Sequence, residues 1–237
     1  MADAEEVEGL SERLARFGGN LVEDGEDAAA KRVFAAAVRE ILDELDMAAI
    51  PASRFEEEAG KLRALAEELR ESGVSHPPGA SPGYTGMENF YDRSPIVGQA
   101  NPVAPPAVLE HYPEQQCVRG RVEFGKAFEG APGLVHGGFL AALLDEALGC
   151  VTVYSGTSGM TGEYTLRFVH PTRIKVPLRF EARFDSRKGR KIYVSAELWD
   201  GDTPTVKATG IFISVDADRF EAFEAARTER IGSRTGS

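Results

Sequence analysis

Residues 134–149, Leu-Val-His-Gly-Gly-Phe-Leu-Ala-Ala-Leu-Leu-Asp-Glu-Ala-Leu-Gly, constrain this chain more than any other stretch. Leu, Ala and Phe dominate it and no Pro interrupts it, so from about Gly137 to Gly149 it reads as a helix that is apolar on almost every side. Such a helix cannot lie on a surface; its neighbours must wrap it rather than cover one face. His136-Gly137-Gly138 opens it and leaves the first N–H groups bare, a setting that stabilises developing negative charge. Two turns on stand Asp145 and Glu146, and a carboxylate in apolar surroundings is costly unless it is used. Together these features point to an oxyanion hole and a general base or nucleophile on one helix. Asp145 is the first candidate, because Leu140, Leu143, Leu144, Ala147 and Leu148 leave it little solvent face. Glu146, turned by about 100° on the helix, reads as structural or as a substitute for it.

The segments on either side of the helix are patterned to wrap it. From Cys117 the pattern has period two, with Val118, Gly120, Val122 and Phe124 on one face. Beyond the helix, strands are expected over Thr161–Val169, Lys175–Phe184, Arg190–Trp199 and Thr205–Ser214. The turns Arg187-Lys188-Gly189-Arg190 and Asp200-Gly201-Asp202 join consecutive strands as hairpins do. One strand, one long apolar helix and then several antiparallel strands predict an α+β fold, a curved antiparallel sheet wrapped around one central helix.

The rest of the chain divides by composition. Residues 1–75 form a helical N-terminal extension, with Val7, Leu10, Leu14 and Phe17 on one face, then Phe34, Val38, Ile41 and Leu45, then Phe55, Ala59, Leu62, Leu65 and Leu69. Asp24 and Ser53 are the expected caps, and Pro51 breaks the second helix from the third. Residues 76–114 are a Pro- and Gly-rich linker and lead-in, with one short helix allowed at 106–112. Residues 115–216 are the sheet-and-helix domain, and 217–237 a short polar helix and frayed tail.

Charge narrows the function. The net charge of −11 argues against non-specific nucleic-acid binding. It is uneven: residues 1–75 hold 19 acids against 9 bases, whereas residues 166–191 hold 9 bases against Glu181 and Asp185. A basic field on an acidic protein suits a small anionic ligand. Arg187, Lys188, Arg190 and Lys191, four bases around one glycine, concentrate it at a hairpin tip. Cys117 and Cys150 read as buried free thiols of a reducing compartment. The acidic start Met1–Glu6 has no apolar core of a signal peptide, and no apolar run approaches the ~18 residues of a membrane span. A cytoplasmic protein with no membrane span is therefore expected. No Gly-x-Ser-x-Gly elbow, dinucleotide fingerprint or His/Cys/Asp cluster at ligand spacing occurs, so no cofactor and no catalytic metal is expected.

The element order, with His136-Gly137-Gly138 and an acid nine residues past the His, resembles the hotdog-fold acyl-CoA thioesterases, most closely their PaaI-type branch. Thr161-Gly162-Glu163-Tyr164-Thr165-Leu166-Arg167-Phe168-Val169-His170-Pro171 is similar to a strand of that family, with Thr or Ser at its start and a basic residue with Pro at its end. The resemblance covers about residues 115–216. It implies hydrolysis of a fatty or aromatic acyl-CoA to free acid and CoA, by a homodimer or dimer of dimers with active sites at the subunit interface. It implies Asp145 as base or nucleophile, Gly137 as oxyanion donor, and His136 as a substrate contact. It also implies Thr161 orienting water or holding the carboxylate, from the same subunit or the partner. Gly138, Arg187, Lys188, Arg190 and Lys191 are the implied CoA contacts. Some PaaI-type enzymes carry an Asn shortly before the His; here that stretch is Gly130-Ala131-Pro132-Gly133, which supplies no such side chain. Two other readings stand beside this one: a non-catalytic acyl-CoA or lipid-binding hotdog module, and an acyl-thioester hydratase or dehydratase.

Overall fold

The computed structural model describes residues 26–45, 47–72 and 92–215. The helix expected around Val7–Phe17, the Asp24 cap, most of the linker and the segment 217–237 lie outside these. Among the described residues two helices come first, α1 (Glu26–Leu45) and α2 (Ala52–Glu71). A six-stranded antiparallel sheet comes next: β1 (Val108–Tyr112), β2 (Cys117–Val122), β3 (Gly159–Phe168), β4 (Leu178–Lys188), β5 (Lys191–Asp200) and β6 (Thr203–Ser214), in the order β1-β2-β4-β5-β6-β3. Between β2 and β3 runs α3 (Gly137–Val151). This is the hotdog architecture, a sheet curled around one helix.

The core is the contact between α3 and the inner face of the sheet. Leu140, Leu143, Leu144, Ala147, Leu148, Cys150 and Val151 of α3 are buried. Val118 and Val122 of β2, Leu178, Phe180 and Ala182 of β4, and Ile192, Val194, Ala196 and Leu198 of β5 close over them. The period-two alternation of the sequence thus becomes one apolar inner face. With the 3-10 turn Thr152–Ser155, α3 is long and apolar enough to pass for a membrane-crossing helix by length and composition; here one side of it is buried against the sheet, while Phe139 stays exposed. Gly189 and Gly201, with φ of +58° and +59°, each open a two-residue hairpin loop, a conformation tight hairpins favour in glycine. Cys117 and Cys150 are buried and form no disulfide.

Four expectations change. Val108–Tyr112 is a strand, not a short helix, and it pairs with β2 from Val108–Arg121 to Tyr112–Cys117. The sheet domain therefore starts before residue 115. The lead-in ahead of it is not a linker throughout: Asp92, Ser94, Val97, Ala104 and Ala107 are buried. The helical extension also docks by an unexpected face. Its apolar residues Phe34, Ile41 and Leu45 are exposed, while Ala28 and Ala35 are buried, flanked by Arg32, Arg39 and Asp43. Arg32 holds the Asp92 carboxylate at 2.9 Å, and Arg39 donates to the carbonyls of Asn101 and Gln99 at 2.9 and 3.1 Å. Periodicity detects apolar stripes, and this contact is polar. Pro51 precedes α2 as expected, but Ser53 caps nothing: Pro51 holds the N-cap position, with no side-chain cap bond.

Candidate active site

The turn that opens α3 is held from two sides. The N–H of His136 donates to Phe128 O at 2.9 Å and that of Val135 to Thr172 O at 2.9 Å. Bridges pair Glu129 with Val135 and Leu134 with Arg173. His136 is the N-cap of α3, and its Nδ1 accepts the Gly138 N–H at 3.0 Å. A ring nitrogen that accepts is unprotonated, so the neutral imidazole carries its hydrogen on Nε2. The Gly138 N–H is thereby taken, which removes the backbone donor that Gly138 was expected to offer a substrate. The Gly137 N–H has no partner among the described residues. It stands at the positive end of the helix, and the Phe168 ring lies against this residue, 3.3 Å from where a Cβ would sit.

Asp145 lies eight residues further along. Thr161 Oγ1, from β3, donates to its Oδ1 at 2.9 Å. Tyr164, also on β3, donates to Ala141 O at 2.9 Å, one helical turn before Asp145; burial first, and then the Asp145 charge, push its phenol pKa upward. Glu146 is separated from its neighbour. A hydrogen bond from Ser94 in the lead-in reaches it, and burial, followed by the Asp145 carboxylate, raises its pKa while the Ser94 bond opposes this. The two adjacent acids thus face different segments: Asp145 the edge strand β3, Glu146 the lead-in.

One distance alters the sequence picture. Eight residues of helix rise about 12 Å, so Gly137 and Asp145 of one chain cannot serve the same carbonyl. Thr161 is exposed and Asp145 half-buried. Among the described residues β3 pairs only with β6, so its other edge there carries unpaired backbone donors and acceptors.

The basic hairpin tip lies toward the Thr161 end. Ile213 of β6 pairs with Lys191 on one side and with Met160 on the other. Arg187 is engaged in the fold, donating to Ser155 O at 3.0 Å just past the C-terminal end of α3, where a cation suits the helix dipole. Arg190 reaches Ser214 O at 3.5 Å. The side chains of Lys188 and Lys191 make no hydrogen bond or ion pair among the described residues. No group of three or more His, Cys, Asp or Glu there is placed to hold a metal. Sequence reasoning gave no role to Tyr164, Phe168 or Ser94. The strand's spacing could have found the first two, since both face the helix; nothing marked Ser94.

A family model described as Thioesterase superfamily matches residues 132–207. A solved crystal structure of a thioesterase superfamily protein superposes with a TM-score of 0.69 at 31% identity, covering 77% of this chain and 94% of that one. The chain belongs to the thioesterase superfamily. Acyl-coenzyme A thioesterase THEM4 of Bos taurus is 33% identical over 97 residues, 40% of this chain and 40% of that protein. Acyl-coenzyme A thioesterase THEM5 of Homo sapiens is 28% identical over 96 residues, 40% of this chain and 39% of that protein. The chain thus matches about two fifths of the length of these curated relatives.

Proposed function

We propose that this protein hydrolyses acyl-CoA thioesters as a PaaI-type hotdog enzyme, working as a homodimer whose sites combine both subunits. The observation that carries the reading is the 2.9 Å bond from Thr161 to Asp145, which joins an edge strand to the central helix. The relatives named as acyl-coenzyme A thioesterases support the substrate class. In this scheme Gly137 of one protomer donates its bare N–H to the thioester oxygen, and Asp145 of the other faces the carbonyl carbon. Thr161 occupies Asp145 Oδ1 and leaves Oδ2 for water. The carboxylate takes a proton as the water oxygen bonds to the carbonyl carbon, and the oxyanion rests on the Gly137 N–H. Collapse breaks the C–S bond, and CoA leaves as thiolate, taking the proton back from Asp145. In the alternative route Asp145 attacks first, and water opens the resulting anhydride. His136, with Nδ1 committed to Gly138, offers Nε2–H to the substrate. Lys188, Arg190 and Lys191 suit the phosphates of CoA; Arg187 supports the turn.

The test is thiol release from a panel of acyl-CoAs, short to long and aromatic. Asp145→Ala is expected to lower kcat by about 10²–10⁴ with binding retained. Tight binding without turnover by the wild type would instead make the chain an acyl-CoA-binding module.

A further inference from the structure

The edge strand β3 contains one residue more than β6 can pair. Thr161 stands opposite Phe212 and Glu163 opposite Ile211, and Gly162 between them has no partner. This is a β-bulge, and its effect appears in which residues face α3. Thr161 reaches Asp145, Tyr164 reaches Ala141, and Phe168 lies against Gly137. A regular strand sends every second residue to one face. Counting back from Phe168 and Tyr164, strict alternation gives the inward place to Gly162 and turns Thr161 outward. The bulge absorbs the extra residue and returns Thr161 to the helix side.

Gly162 has little room for a side chain. A Cβ there would lie 3.0 Å from Ile213 Cγ1 and 3.2 Å from Ile211 O. The second of these is backbone of the partner strand and cannot rotate away. The torsion is not the obstacle, because φ at Gly162 is not positive; the obstacle is space. A branched residue has two ways out. It can push β6 away, or it can leave the bulge, which slips residues 159–161 by one place and turns the threonine hydroxyl away from the carboxylate.

We infer that Gly162 is a positioning residue, whose missing side chain lets β3 hold the bulge that aims Thr161 at Asp145. The inference rests on the proposed hydrolase reading for its kinetic consequence and on the register alone for its structural one.

The test sets substitution against deletion. Gly162→Val keeps the extra residue and opposes the bulge; deleting Gly162 removes the extra residue and leaves Thr161 opposite Phe212. Gly162→Val is expected to lower kcat at least about tenfold, with KM changed less than about twofold. The deletion variant is expected to stay at least about tenfold more active than Gly162→Val. In a Thr161→Ala background, Gly162→Val should change kcat by less than about twofold, since it acts through the hydroxyl already removed. Gly162→Ala supplies a milder arm if the valine variant does not fold. Crystal structures of the variants read the Thr161–Asp145 bond without reference to activity: kept in the deletion, lost in the substitution. A substitution that keeps this bond and full activity overturns the inference, and so does a deletion that loses the bond. Wild-type protein that hydrolyses no acyl-CoA sinks the functional reading, while the bond in the variants still judges the positioning role.

Discussion

At the scale of single residues, His111 shows how burial sets a group's behaviour. Its ring nitrogen Nδ1 lies 3.0 Å from the Tyr154 hydroxyl, which itself donates to Cys117 O at 3.3 Å. Nε2 is buried with no partner among the described residues. Burial lowers the imidazole pKa from 6.5 to about 4. A depressed folded-state pKa gives stability that is fully present above the unfolded value and lost as pH falls toward the folded one. The window is therefore pH 6.5 down to about 4. His111→Leu is expected to flatten the acid side of the stability curve, removing up to about 3 kcal/mol of pH-dependent loss. Urea unfolding of both proteins at about pH 7.5 and about pH 4.5, on either side of most of that window, measures this; equal slopes would assign the acid sensitivity elsewhere. The catalytic candidates were more legible in the sequence than this histidine. Asp145 stood out as an acid among leucines, and Gly137 as a bare helix start. The Asp145–Glu146 choice was not legible, because it depends on Thr161 and Ser94, which come from distant segments.

At the scale of elements, the sequence told most where one face is apolar. The alternation in β2, β4 and β5 and the all-round apolarity of α3 appear in the fold as read. The α1 contact and strand β1 did not show, since one is polar and the other only five residues long. Yet α1 reaches the turn that opens α3. Asp43 Oδ1 accepts the Ala127 N–H at 2.9 Å, and the next residue, Phe128, carries the carbonyl that holds the His136 N–H. Phe128 also packs edge-on against Phe139, the third residue of α3, with ring centroids 5.0 Å apart. Asp43→Ala is expected to cost about 1 kcal/mol, as loss of a capping side chain does, and to lower kcat several-fold. Asp43→Asn keeps the accepting oxygen and should lose neither. Unfolding curves and turnover of the two variants decide this, and identical behaviour of Ala and Asn would mean that α1 does not support the turn.

At the scale of the whole molecule, the spacing along α3 matters most. Gly137 and Asp145 are too far apart to share a carbonyl within one chain, which makes the proposed site a property of a pair. Gly137→Pro is the clean way to remove the donor. Proline suits the first helical position, and His136 already has the extended backbone, φ −62° and ψ 130°, that a following proline requires. Gly137→Pro alone and Asp145→Ala alone should each be nearly inactive. Expressed together they form mixed dimers with one intact site, so about a quarter of wild-type activity should return. No recovery in the mixture would place both groups in one subunit.

The all-round apolar helix also has a mechanical meaning. Gripped by the sheet through seven buried side chains, α3 behaves as a shaft seated on one side in a bearing, with little freedom to roll or slide. The carboxylate it carries is held by the packing of its neighbours and by the Thr161 hydroxyl. In the proposed hydrolysis, motion that admits a thioester and releases its halves must then come from what surrounds the shaft: the edge strand, the lead-in and the docked helix α1.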